Sequence, residues 1–169
     1  MGGDGGVIAV KREFVRGCRN KNEEEAKQQA VNRSKHCAIS NEKLVQPIVA
    51  CELGHLYNKE ALLTALLEKS LNAKFSHIRG LKDVKALKFA PNPDFREGMD
   101  VDGALLPQFR CPVTQMDFNG IHPFVCIWTS GWVLSEKAIR EIGIAGLQGE
   151  YGPFVENDII RFIYIGYLL

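Results

Sequence analysis

The chain has 169 residues, 46% of them hydrophobic and 24% charged, a composition that can build a core and excludes disordered and fibrous classes. Its 21 Lys and Arg against 20 Asp and Glu leave a formal net charge of +1, which gives no strong electrostatic footprint for DNA or RNA. Cys18, Cys37, Cys51, Cys111 and Cys126 are odd in number and far apart in sequence. Residues 1–20 lack the continuous apolar stretch of a signal peptide, so free thiols in a reducing compartment are expected rather than a disulfide framework.

Four segments are expected. Residues 1–35 read as a glycine-rich start and a polar linker. Within them, Val7, Ile8, Val10, Phe14 and Val15 alternate loosely as a strand would. The Glu-, Lys- and Gln-rich run 20–35 reads as a solvated helix or linker. Residues 36–71 form a first folded module, with Pro47-Ile48-Val49 opening a hairpin. A helix follows from Lys59 to about Leu71, N-capped by Asn58.

Residues 72–108 read as a long connection. Leu81, Val84, Leu87 and Phe89 suggest a short strand or turn, and Pro91, Pro93, Gly98, Gly103 and Pro107 break regular structure. Residues 109–169 form a second module. Phe118-Asn119-Gly120 is its turn signal, and a helix runs from Ser135, its N-cap, through Ile142. The apolar tail from Ile159 carries one charge, Arg161, is too short to cross a bilayer, which takes about 20 apolar residues, and reads as a strand packed on the core.

The two folded stretches read alike. The first runs Cys37-x-Ile39-Ser40, Pro47-Ile48-Val49, Gly54-x-x-Tyr57-Asn58-x-x-Ala61-Leu62. The second runs Cys111-x-Val113-Thr114, Pro123-Phe124-Val125, Gly131-x-x-Leu134-Ser135-x-x-Ala138-Ile139. Two such units in the same order, with nearly the same spacing, predict a structural repeat: a loop with an aliphatic tip, a short hairpin turned by glycine, and a capped helix that closes over it. The fold class expected is therefore α+β, two tandem modules joined by a long connection.

This order resembles the RING/U-box-like modules, in which a loop–hairpin–helix–loop unit docks a ubiquitin- or SUMO-conjugating enzyme. More specific are the glycine-rich opening Met1-Gly2-Gly3-Asp4-Gly5-Gly6, the run from Pro47 to Lys59, Ser76-His77-Ile78, Cys111-Pro112-Val113 and Leu134-Ser135-Glu136. These words, in this order over residues 1–142, are similar to the replication termination factor 2 family. The resemblance implies a nuclear adaptor that acts in replication-fork pausing or termination and in fork stability through protein–protein contacts. It also implies two alternatives, an E3-type ubiquitin or SUMO ligase scaffold and a pre-mRNA splicing factor. The implied partners are replication-fork or spliceosomal proteins and a conjugating enzyme, with no membrane.

The expected docking residues are Ile39, Pro47 and Val113, with Leu66 and Trp132 as further candidates for an apolar surface. Asn92-Pro93 is the candidate proline-bearing second loop beside the first module's loop. The resemblance also implies one zinc ion in the second module. Relatives carry a cysteine cluster before the second Gly-x-x-hydrophobic-Ser element and a Cys-x-x-Cys pair after its helix. Here those places read Trp128-Thr129-Ser130-Gly131-Trp132 and Leu147-Gln148-Gly149-Glu150-Tyr151-Gly152, and no Cys-x-x-Cys pair exists. A structural zinc site wants four ligands, so no cofactor is expected. Cys111, His122 and Cys126 are the ligands if a metal is held, and Trp128 and Trp132 are expected to fill the volume that metal and ligands take in relatives.

No motif sets a nucleophile beside a base, so no intrinsic catalytic residue is expected. Lys74, Arg79, Lys82, Lys85 and Lys88 are spread along one connection and interrupted by Asp83. That argues for solvated lysines over direct nucleic-acid binding.

Overall fold

A computed structural model describes residues 24–95, 100–101, 104–105 and 107–163. The glycine-rich start, the strand expected in 7–17, part of the acidic stretch 94–103 and the end of the apolar tail lie outside the described residues.

The architecture is α+β, with three helices and small antiparallel sheets among the described residues. Helix α1 spans residues 24–35. Its Glu, Lys and Gln content favours helix, but it is not a free linker. Ala30 and Ser34, one turn apart on one face, are buried. They pack so closely on Gly120 that a Cβ there would strike the Ala30 carbonyl and the Ser34 hydroxyl. The polar run that reads as solvated therefore docks on the Phe118-Asn119-Gly120 turn of the second half.

In the first half, β1 (Ile48–Cys51), buried throughout, is the central strand of a sheet. It pairs antiparallel with β2 (Leu56–Asn58) on one side, Val49 opposite Tyr57. Helix α2 (Lys59–Leu67) follows. It stops short of the expected Leu71 because Lys69 turns left-handed, with φ 53°. The N–H groups of Lys69 and Ser70 donate back to the carbonyls of Leu66 and Ala65, the hydrogen bonding of a Schellman stop with lysine in the usual glycine place. The third strand, β3 (Val84–Ala86), lies on the other side of β1 and falls within the segment read as connection.

Two small ladders follow, β4 (Ala90–Pro91) with β7 (Phe109–Arg110), and β5 (Asp100–Val101) with β6 (Ala104–Leu105). In the second half, the buried strand β8 (Phe124–Ile127) lies between β9 (Val133–Ser135) and β10 (Ile159–Arg161). Helix α3 (Glu136–Tyr151) extends well past the expected Ile142, interrupted at Gly143. Burial of Leu147 and Tyr151 gives its second segment an apolar face and explains the extension.

The halves match in register as well as in strand order. Val49, Ala50 and Cys51 face Ala86, Lys85 and Val84, just as Val125, Cys126 and Ile127 face Arg161, Ile160 and Ile159. A 3-10 turn precedes each third strand, Leu81–Asp83 before β3 and Glu156–Asp158 before β10. In each turn the closing aspartate accepts backbone N–H groups, those of Arg79 and Gly80 at Asp83 and that of Val155 at Asp158.

The halves also clasp each other reciprocally. Beyond β10, the Ile163 N–H donates to the carbonyl of Gly54 in the first hairpin turn (3.3 Å). Beyond β3, the Lys88 N–H donates to the carbonyl of Gly131 in the second (2.8 Å). Both glycines have positive φ, 81° and 80°. A Cβ on Gly54 would collide with the Arg161 carbonyl, and one on Gly131 with the Ala86 carbonyl. One core serves both halves, with Tyr57, Leu62, Phe124, Ile127 and Leu134 fully buried in the same cluster. Phe118 joins Phe124 at 5.0 Å and Phe162 at 5.9 Å between centroids.

Candidate functional site

Each half carries a tight loop of the same construction. In the first, the Cys37 N–H donates to the Glu42 carbonyl and the Asn41 N–H to the Cys37 carbonyl. In the second, Cys111 donates to Met116 and Gln115 donates to Cys111. Asn41 and Gln115, the matching non-glycine residues, both have positive φ. Each thiol accepts the N–H of the residue before the following helix, Asn58 to Cys37 and Ser135 to Cys111, both at 3.3 Å. The cysteines thus tie loop to helix by hydrogen bonds, with both thiols fully buried.

At the tips, Ile39 and Val113 are half-buried and rest against the core. Pro47 is exposed, after a cis Gln46–Pro47 bond, at the entry to β1. Leu66 and Trp132 are half-buried and Leu67 is exposed, so α2 offers Leu67 rather than Leu66 as its open apolar residue.

The two helix starts differ. Ser135 caps α3, its hydroxyl accepting the Ala138 N–H at 3.2 Å and lying 2.8 Å from the Thr114 hydroxyl. Asn58 does not cap α2. Its longer side chain reaches back to the loop, accepting the Val45 N–H at 2.9 Å and donating to the Lys43 carbonyl at 3.0 Å. Glu136, buried in the first turn of α3, accepts from Arg140 (2.8 Å) and Arg161 (3.2 Å), fixing the helix to β10.

Asn92-Pro93 is taken up elsewhere than beside the first loop. Asn92 is buried, and its amide donates to the Pro107 carbonyl (2.9 Å). Arg110 bridges Asp94 (3.1 Å) and Asp117 (3.0 Å), which holds the segment to the second half. A proline-bearing second loop that the sequence reading missed follows α3: Gly152-Pro153-Phe154, with Pro153 exposed and Phe154 buried. Glycine at a helix end with proline directly after it is the signal that marks it. The loop lies on the Cys111 side of the half. Burial raises the Tyr151 hydroxyl above its usual range, and the charges of Glu150 and Cys111 add to that.

The remaining electrostatics belong to the core. Burial raises the Tyr57 hydroxyl, helped by its 3.4 Å contact with the Cys51 thiol. Burial also pushes the Cys126 thiol up to about 12. At Cys111, burial works upward, but hydrogen bonds from Ser135 and Thr114 outweigh it and leave the thiol below its usual value.

The donor set does not suit zinc. Among the described residues, no three His, Cys, Asp or Glu side chains gather as a metal would need. Cys111 is engaged with the Ser135 N–H, and Cys126 lies buried in the central strand β8. His122 is half-buried in the turn after Asn119. Trp132 packs edge-on against Tyr151 at 5.5 Å, with the Lys88 ammonium 6.0 Å from its ring centre.

Paired loop–hairpin–helix halves of this kind make an α+β chain with small antiparallel sheets. The chain belongs to the Rtf2 RING-finger family, whose model matches residues 1–162. Among its relatives are proteins named replication termination factor 2: that of Gallus gallus is 39% identical, that of Rattus norvegicus 38% and that of Homo sapiens 36%. Each alignment covers 95% of this chain and 56% of the relative. The chain thus spans a little over half the length of these relatives.

Proposed function

We propose that this chain is a nuclear adaptor of replication forks, acting in pausing or termination and in fork stability by holding other proteins on two RING/U-box-like units. The observation that carries the reading is the repeated loop, whose buried cysteine is bonded to the helix start and whose tip bears Ile39 or Val113. A loop fixed by its own hydrogen bonds presents an aliphatic contact at little ordering cost. Family membership supplies the replication context. The near-neutral net charge favours protein over nucleic-acid partners. The protein needs no catalytic residues or zinc for this role.

A second reading, a ligase-type scaffold that docks a conjugating enzyme, is favoured by one feature of the second half. Val113 and Pro153 there give a first loop and a proline-bearing second loop on the same unit. Proximity labelling in living nuclei separates the readings. Replication-fork proteins that disappear when Ile39 and Val113 are both changed to Ala support the adaptor. A set dominated by ubiquitin- or SUMO-conjugating enzymes, or by spliceosomal proteins, replaces it with the corresponding alternative.

A further inference from the structure

The two halves differ at one point of their shared plan. Just after the hairpin glycine, the second half has Trp132 and the first has His55. Trp132 packs on Tyr151 and lies under Lys88. His55 meets Phe75 edge-on at 6.0 Å and lines a cavity of about 870 Å³ bounded by α1, the first loop, the 3-10 turn Ala73–Phe75 and the residues just after β10.

Arg33 of α1 and Lys74 of the 3-10 turn Ala73–Phe75 give its wall two cations, His36 and His55 add imidazoles, and among the described residues no Asp or Glu lines it. Neither Arg33 nor Lys74 forms an ion pair among the described residues. His36 donates from Nδ1 to the Asn32 carbonyl at 2.8 Å. Nearby, Nε2 of His77 is buried without a hydrogen-bond partner among the described residues. A buried polar atom without a partner is costly unless something answers it, while Arg33 and Lys74 are exposed and can reach a ligand at the cavity. Ile39 and Ile163 give the cavity an apolar side.

We propose that this cavity binds a peptide segment carrying phosphoserine or phosphothreonine, its phosphate held between Arg33 and Lys74 beside His55. A phosphate monoester supplies close to two negative charges and three strong acceptors in one place, which matches a confined cluster of cations. A nucleic-acid strand needs charge repeated along a track, and the basic run Lys74, Arg79, Lys82, Lys85 and Lys88 is interrupted by Asp83. The apolar side fits the residues that flank a phosphorylated side chain. The positive field inside is visible at His55 itself, whose imidazole is held below its ordinary value by burial and then by the charges of Arg33 and His77.

The test uses the whole chain and a degenerate phosphoserine peptide library, its unphosphorylated counterpart, inorganic phosphate and a single-stranded oligonucleotide. NMR titration maps the site and fluorescence anisotropy gives affinity. The expected result is phosphate-dependent binding that shifts His55, Lys74 and Phe75 resonances. Arg33→Glu with Lys74→Glu weakens it about tenfold or more, the effect of losing a charge-assisted contact. These two side chains are exposed, so the fold is expected to survive. His55→Trp, which gives this half the residue found in the other, narrows the cavity beside the phosphate position and weakens binding while leaving the rest of the spectrum in place. Equal binding of unphosphorylated peptides, binding of inorganic phosphate unaffected by either variant, or an oligonucleotide displacing the peptide from the same resonances overturns the proposal.

Discussion

Replacing Gly54 with alanine tests the reciprocal clasp. Two costs follow from the structure. An alanine held at φ 81° meets left-handed strain of about 1–2 kcal/mol. Its Cβ also cannot coexist with the Arg161 carbonyl, so the end of β10 must withdraw. That breaks the Ile163 N–H bond to Gly54, worth about 1 kcal/mol, and loosens the packing of Phe162 on Phe118. The sum is roughly 3 kcal/mol. Gly131→Ala strikes the Ala86 carbonyl and is expected to cost about the same.

Gly152→Ala is the control. Its φ of 87° comes with ψ 170°, a region essentially reserved for glycine, but nothing lies within 4 Å of the added carbon. It should cost only the strain, about 1–3 kcal/mol, with no loss of the contact between the halves. The gain from a stiffer unfolded chain is common to all three variants and cancels in the comparison. Urea unfolding provides the assay: an unchanged slope of about 2 kcal/mol per molar turns a 3 kcal/mol loss into a midpoint drop of roughly 1.5 M. If Gly54→Ala and Gly131→Ala lose no more than Gly152→Ala, the halves do not hold each other through these turns.

Four other expectations can be checked on the same protein. Metal analysis of chain purified without chelator should find far less than one zinc per chain; near-stoichiometric zinc would show that Cys111, His122 and Cys126 rearrange to bind it. Leu62→Ala should destabilise by about 2–5 kcal/mol, since Leu62 is fully buried. Asn58→Ala should cost about 1 kcal/mol through the lost bonds to Lys43 and Val45, and hydrogen exchange should rise in residues 43–45 rather than in the first turn of α2. His55, with a folded value below its ordinary 6.5, favours the neutral form when folded. Its contribution is therefore present above pH 6.5 and lost as pH falls from there towards the folded value, with burial first and then the charges of Arg33 and His77 opposing protonation. His55→Gln should flatten that part of the stability–pH curve, and an unchanged slope would contradict the assignment.

The hairpins and their helices were legible because each is local. Glycine, two spacers and a hydrophobic residue before Asn or Ser mark turn, strand and helix start within a few residues. The third strands were legible as short apolar runs, around Val84 and from Ile159, but not their places: pairing on the far side of β1 and of β8 joins residues distant in sequence. The docking of α1 depends on two residues, Ala30 and Ser34, among charged neighbours that read as solvated. Identical positions also misled: Asn58 and Ser135 both precede helices, but the longer amide reaches the neighbouring loop while the short hydroxyl stays on its own helix. The loop at Pro153 was within reach, since the glycine before it ends α3. The first half's cavity was not, because its walls come from α1, the first loop, the 3-10 turn Ala73–Phe75 and the residues just after β10.

The adaptor reading stands on the two loop tips. Capture of proteins bound to newly replicated DNA, compared with the same DNA after a chase, tests it most directly when run with the parent chain and with Ile39→Ala/Val113→Ala, both shown beforehand to unfold at similar urea concentrations. The account predicts that the parent is enriched on nascent over chased DNA and that the double variant loses this enrichment. Equal recovery of parent and variant on nascent DNA, or of the parent on nascent and chased DNA alike, would contradict it.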